Sequence, residues 1–382
     1  MQKKNIVLMY IMSALHGMIF YGAIATLYRK PAGVSSFEIA HIECVSLILC
    51  VALEMPWGIV ADRIGYKKAM AISCGIYFLS KIVFWQADGY GMFLLERVML
   101  AGAVSGISGV DVNILYLSSG KEHAQRTFGI YNSLTITGVM AAAGVYTLLI
   151  GSNYRLAGLL TVISYGVAFI ISLLLCEVKQ SMQRHTNQLR EFAAILRALL
   201  RNRRLLLILV AVGLLNETQQ MITVFLNQLQ YVRAGMGPKA IGAVYMLVTA
   251  SGLLGGFSAK LTDKLKPRRF GGLLFLGCAA GCAALALTGN ALVSVAAILT
   301  LRLCFSLLQP LQMDMQNRAV KSDQRATALS VNNVLLDGVA ILINLLLGGA
   351  ADNHLPLALG MGAALCLAGF VLFMRGSRTQ AA

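Results

Sequence analysis

Charge is what this chain has least of. Only 13% of its 382 residues are Asp, Glu, Lys or Arg, where a soluble domain carries about 25%. Apolar residues make up 58%, and the mean hydropathy is +0.72. This shortage excludes a disordered chain, a coiled coil and an ordinary cytosolic enzyme. Proline is scarce, at 6, and the 37 glycines do not offset it, so collagen-like and linker-rich architectures are excluded as well. Three chemical signatures are missing. There is no His-Glu-x-x-His, no Gly-x-Ser-x-Gly and no Gly-x4-Gly-Lys-Ser/Thr, so neither an enzyme of those types nor an ATP-driven machine is expected. The eight cysteines fall within or at the edges of apolar runs. Cys278 and Cys282 share a helix face, but no metal-type cluster forms, and we expect small buried thiols with neither metal nor cofactor.

What the chain has instead is long apolar runs. Crossing a bilayer takes about 20 mostly apolar residues, because the hydrocarbon core is about 30 Å thick and a helix rises about 1.5 Å per residue. Twelve such runs lie near 5–28, 37–61, 69–87, 92–117, 127–150, 156–176, 205–228, 239–260, 270–288, 292–316, 327–350 and 356–374. They predict an all-α polytopic membrane protein. Connections are short except for a hydrophilic stretch from Glu177 to Arg204, which divides the chain into 1–176, 177–204 and 205–382.

Positive residues accumulate in cytoplasmic loops. With the N-terminus inside, 24 of the 32 Lys and Arg fall in inner segments, and only Arg29, Lys30, Arg155, Arg233 and Lys239 in outer ones; Lys81, Arg97 and Arg302 lie within runs. Both termini are therefore expected in the cytoplasm, with the chain in the plasma or inner membrane. The first run is too long for a signal peptide and lacks a small-residue cleavage site. The net charge of +16 follows the loop asymmetry, so nucleic acid is not an expected partner. In the middle stretch, Leu189, Phe192, Ile195, Leu196, Leu199 and Leu200 recur at helical spacing, with Arg190, Arg197 and Arg201 elsewhere on the wheel. That pattern suits an amphipathic helix on an anionic leaflet, or a tether between halves.

The two halves share a pattern. Ala32-Gly33 and Ile39 correspond to Ala234-Gly235 and Ile241, Asp62-Arg63-Ile64 with Lys67-Lys68 to Asp263-Lys264-Leu265 with Arg268-Arg269, and Gln125-Arg126 to Gln324-Arg325. Few identities survive, yet order and spacing persist, as in an old duplication. The segment Gly58-Ile-Val-Ala-Asp62-Arg63-Ile-Gly65-Tyr-Lys67-Lys68 resembles the signature loop of the major facilitator superfamily. In the second copy Ala259 and Lys266 stand where the glycines stood. The resemblance implies two pseudo-symmetric six-helix bundles rocking about a central site. It further implies that Gly58, Asp62, Arg63, Gly65, Lys67 and Lys68 form a conformational latch, with Asp111 the acidic span-4 residue that the loop engages. Arg97, with Gly102 and Gly106, resembles the family's span-4 arginine motif, its first glycine one place late. Span 5 has Gly138 and Gly144 without the proline of the family's drug antiporters. Independently of any family, Gly65 permits a tight turn at positive φ.

Ionisable side chains near the bilayer centre cost at least about 2.5–3.5 kcal/mol each on insertion scales. In the first half, Glu43, Glu54 and Asp111 face Lys81 and Arg97 in composition, as structural pairs or as an ion-coupling set; Lys81 also has the reach to snorkel outwards. Glu96 and Arg97 form a candidate interfacial pair. Proton coupling needs a group protonated facing one side and ionised facing the other, and a low-dielectric setting favours the neutral carboxyl. Glu43, Glu54, Glu217 and Asp337 are the carboxyl candidates, and His16, if not merely a packing residue, is another. Asn216, Gln220, Thr223 and Asn227 share one face of span 7 by spacing; Arg302, Gln309, Gln312 and Gln316 form a stripe on span 10, and Asn333, Asp337 and Asn344 one on span 11. In the resembled family spans 1, 4, 7 and 10 line the pathway, so these stripes, with Arg97, are candidate substrate contacts.

The expected function is secondary active transport of a small organic compound by alternating access, proton-coupled, with multidrug-type efflux as the leading direction. Uptake of a sugar, organic anion or other nutrient is the alternative, and a transport-inactive membrane sensor the other class. Expected partners are the small-molecule substrate, protons and the lipid bilayer, and a monomer is expected.

Overall fold

A computed structural model describes residues 2–120, 123–151, 153–178, 196–197, 199, 201–318 and 325–377. Among them all regular structure is helical. Twelve helices are long and apolar enough to cross a membrane: α1 (Lys3–Ala32), α2 (Ser36–Ile64), α3 (Tyr66–Gln86), α4 (Tyr90–Ser119), α5 (Arg126–Ile150), α6 (Tyr154–Leu173), α7 (Arg203–Arg233), α8 (Pro238–Leu265), α9 (Pro267–Leu287), α10 (Ala291–Gln316), α11 (Val331–Asn353) and α12 (Leu355–Gly376). Each coincides with one of the apolar runs. Leu148, Leu149, Leu287 and Leu292 are all more than three-quarters exposed, an arrangement that suits hydrocarbon as the solvent. The amphipathic segment expected near 189–200 lies outside the described residues except at Leu196, Arg197 and Leu199. Leu199 is buried against Leu209 and Val331 instead of lying on a lipid surface.

The chain packs into two compact units. Unit one is Met1–Val34, Val45–Gln183 and Pro238–Met246; unit two is Ser35–Cys44, Arg184–Gly237 and Leu247–Ala382. The starts of α2 and α8 thus pack with the unit that does not hold the rest of their helix. In unit one, small residues let backbones touch. A Cβ on Gly17 would lie 2.2 Å from the Thr135 carbonyl oxygen, and one on Gly138 2.1 Å from that of Ala14, so α1 and α5 meet without side chains between them. α4 restarts at Val110 after Gly109, at φ +81°. This puts Asp111 in a first helical turn, where its Oδ1 accepts the Val112 N–H at 2.7 Å. In unit two, α7 becomes π-helical over Met221–Leu226 and α8 3-10 over Gly252–Phe257.

The duplication is visible in the backbone. Gly33 and Gly235 both have φ +77°. Gly65 before α3 sits at φ +92°, ψ 151°, and Lys266 before α9 at φ +66°, ψ 144°. The tight turn expected at Gly65 is therefore repeated by a lysine.

Candidate functional site

In unit two, adjacent residues of α7 reach different neighbours. Asn216 Nδ2 donates to Gln312 Oε1 on α10 at 3.0 Å, and Glu217 Oε1 accepts from Asn344 Nδ2 on α11 at 2.8 Å. Successive helical residues point about 100° apart, so one turn of α7 is stitched to both helices. Asn344 is 2% exposed, and the Oδ1 atoms of Asn344 and Asn216 are buried with no partner. An unanswered buried acceptor costs about 1–3 kcal/mol, so the site has an unmet demand for donors. Glu43 and Asp337 lie within electrostatic reach of Glu217. Glu43 arrives on the start of α2, which Cys44 seats on α11 by donating its thiol to the Ile341 carbonyl at 3.5 Å.

The polar stripe expected along α7 does not form a single face. A π-helical turn adds a residue to the repeat, and Met221–Leu226 runs through the stripe, taking in Thr223 and separating Asn216 and Gln220 from Asn227. Gln220 is exposed, whereas Thr223 and Asn227 are buried, and Thr223 Oγ1 accepts from Gln219 Nε2. Gln309 and Asn333 are exposed, and Asp337 is half-buried. Arg302 lies along α8, its guanidinium 3.3 Å from where a Gly252 Cβ would stand and 5.6 Å over the Phe305 ring.

Unit one encloses a second polar cluster. Lys81 Nζ donates to Glu96 Oε1 at 2.9 Å and to the Tyr21 hydroxyl at 3.1 Å, with both charged side chains at most 3% exposed. Four rings, of Tyr21, Tyr77, Phe84 and Tyr165, surround the ammonium at 5.2–6.0 Å. Glu96 is thus a core residue and not an interfacial one, and Lys81 neither snorkels nor pairs with Glu43, Glu54 or Asp111. The reason is local: α3 and α4 are consecutive antiparallel helices, which brings residues 81 and 96 face to face. Arg29, counted as an outer-loop charge, is buried at 3% over Phe84 and Phe93. Arg97 is half-buried beside this cluster and Glu54 is exposed. His16 packs 5.5 Å from Tyr77 and 5.3 Å from Tyr165, whose hydroxyl donates to the His16 carbonyl at 2.6 Å.

The family profile described as Major Facilitator Superfamily matches residues 6–344. The chain belongs to that superfamily. The solved structure of the nucleoside transporter NupG, as its D323A mutant, matches with a TM-score of 0.84 at 15% identity over 98% of this chain and 100% of that one. The D-xylose–proton symporter matches at 0.74 and 13% over 98% and 97%. A bacterial homologue of the human lysosomal transporter Spinster matches at 0.71 and 16% over 98% and 93%. No curated protein matches the sequence. At these identities the likeness establishes the fold, and the family makes the chain a multi-pass membrane transporter.

The superfamily's signature loop is anchored from below. Ala61, Tyr66, Ala69 and Met70 are buried with Met9, Met12, Ile114 and Leu115, while Gly58, Asp62, Arg63 and Lys68 are exposed. The carboxylate at its turn is not Asp111. Glu177 Oε1 accepts the Lys67 N–H at 3.2 Å, and a Cβ on Gly65 would come within 2.7 Å of Glu177 Oε2. Asp111 instead accepts from the Tyr131 hydroxyl at 3.3 Å. Glu177 escaped notice because it opens the hydrophilic stretch, where a carboxylate needs no explanation. Asp352 near the end of α11, which accepts the Ser36 and Phe37 N–H groups at the start of α2, carried no signal in the sequence either, although Ser35-Ser-Phe-Glu38 has the form of a helix start.

Proposed function

We propose that the chain takes up a small uncharged polar solute of sugar or nucleoside type by alternating access, with Glu217 as the proton carrier. The Glu217–Asn344 pair is the observation that supports this. Glu217 Oε1 accepts the Asn344 N–H, an arrangement that suits the ionised carboxylate. Protonated, its O–H has an acceptor ready in Asn344 Oδ1 once the amide turns over, which relieves the unpartnered oxygen. The pair therefore exists in two hydrogen-bonded forms that differ by one proton. Asn216, Glu217, Gln312 and Asn344 include no cation, which suits a neutral solute better than an organic anion. Uptake is preferred over the efflux expectation because a nucleoside transporter and a xylose–proton symporter are among the structural relatives. Span 5 also lacks the antiporter proline.

The remaining parts of the reading follow from the sequence. The halves 1–176 and 205–382 rock about the site, and Gly58 to Lys68 latch one end. Both termini face the cytoplasm of the plasma (inner) membrane, as the 24-to-5 charge imbalance supports, and the working unit is a monomer. The test is uptake of labelled uridine and xylose into proteoliposomes acidified outside. Accumulation above equilibrium that a protonophore collapses is expected, with Glu217→Gln exchanging solute but not concentrating it. Proton movement driven only by lipophilic cations would return the reading to efflux, and equilibration without protons would remove Glu217 from coupling.

A further inference from the structure

We infer that Asp352 and the start of α2 form a releasable latch at the end of α2 remote from the signature loop, an inference that rests on the alternating-access reading above. An α-helix begins with N–H groups that have no partner within it. At α2 a capping box answers two of the N–H groups at this end: Glu38 N–H donates to Ser35 Oγ at 3.0 Å, and Ser35 N–H to Glu38 Oε2 at 2.8 Å. It leaves those of Ser36 and Phe37. Asp352, 316 positions on at the last turn of α11, takes both, Oδ1 from Ser36 at 2.6 Å and Oδ2 from Phe37 at 2.8 Å. A carboxylate here is further favoured by the positive end of a 29-residue helix.

Two features make this contact a latch and not a permanent staple. Phe37 and Asp352 are exposed while Ser36 is buried, so water can take over the Phe37 N–H when the carboxylate leaves. The seam beneath is smooth, since a Cβ on Gly348 would stand 2.5 Å from the Ala40 Cβ and 3.0 Å from the Ser36 carbonyl oxygen. Residues 35–44 pack with unit two and the rest of α2 with unit one, so any change of partner for this end must break these bonds. The repeated half has a counterpart. In unit one Gly151 ends α5 at φ +59°, and the Lys239 methylene chain passes 3.2 Å from where its Cβ would stand, so a lysine at the start of α8 meets the end of α5 as the start of α2 meets Asp352.

Native Cys44 reports on the seam, being 4% exposed there, while Cys74 and Cys366 are buried inside units one and two. The experiment is alkylation of the full chain in nanodiscs by N-ethylmaleimide, followed peptide by peptide by mass spectrometry. Asp352→Ala should speed Cys44 at least about tenfold, equivalent to about 1.4 kcal/mol, with Cys74 and Cys366 unchanged. Ser36→Pro removes one of the two N–H donors at a position where proline suits a helix start, and should give a smaller rise at Cys44 alone. Unchanged Cys44 in both variants overturns the latch. If all three thiols quicken in Asp352→Ala, the fold has loosened, and Ser36→Pro decides: a rise confined to Cys44 supports the latch, and none overturns it. No solute is added, so a wrong substrate or coupling reading leaves the result intact.

Discussion

Lys266 occupies a backbone region that is essentially glycine's. Its φ of +66° with ψ 144° matches Gly65 at the equivalent turn, and such a conformation costs a side-chain-bearing residue of order 1–3 kcal/mol. Glycine gives back about 0.5–1 kcal/mol in unfolded-chain entropy. We therefore expect Lys266→Gly to stabilise the protein by about 1 kcal/mol, read as a higher thermal midpoint in detergent; a lower midpoint would show the turn is not strained. The Lys81–Glu96 pair works the other way. Removing either partner strands a buried charge, so Lys81→Met and Glu96→Ala should each cost about 3–5 kcal/mol, and a loss under 1 kcal/mol would mean the pair is hydrated. The sequence made the Lys266 position legible, because the repeat marks where a glycine was replaced. It did not identify the partner of Lys81. Several carboxylates were available in the same half, and which one faces the ammonium depends on how α3 and α4 turn towards each other.

Helices were legible as runs but not in their internal register. All twelve spans follow from apolar length alone, since the bilayer demands it whatever the packing. A face computed at 3.6 residues per turn holds only while the helix stays α, and nothing in Met221–Leu226 announces the π-turn that breaks the stripe on α7. The consequence can be measured. Asn227 is 6% exposed below the turn, so Asn227→Leu should change stability and leave the apparent affinity for solute within about twofold. Asn216→Leu, above the turn, leaves the Gln312 amide without its partner and should weaken solute binding tenfold or more, a change of about 1.4 kcal/mol. Equal effects of the two on affinity would mean that α7 presents one continuous face after all.

At the scale of the whole molecule, α2 is the helix that connects the parts. The signature loop with Asp62 follows its C-terminal end, Asp352 holds its N-terminal end, and Glu43 between them reaches the Glu217 site. If the loop latches one conformation and Asp352 the other, the two carboxylates oppose each other in a single two-state equilibrium. A variant then shifts that equilibrium only by what it removes from one state. Asp62→Asn weakens the state in which the loop is engaged, so the chain spends more time with Asp352 on α2. Cys44 should then alkylate more slowly than in the unmodified protein, and uptake should fall at normal abundance because the return step is uphill. Asp352→Ala shifts the balance the opposite way. Since the two sites lie at opposite ends of a 29-residue helix, their free energies should add, and the double variant should restore Cys44 reactivity towards the starting rate. Two variants that both quicken Cys44, or a double variant faster than either, would mean that the ends of α2 are not coupled through one equilibrium.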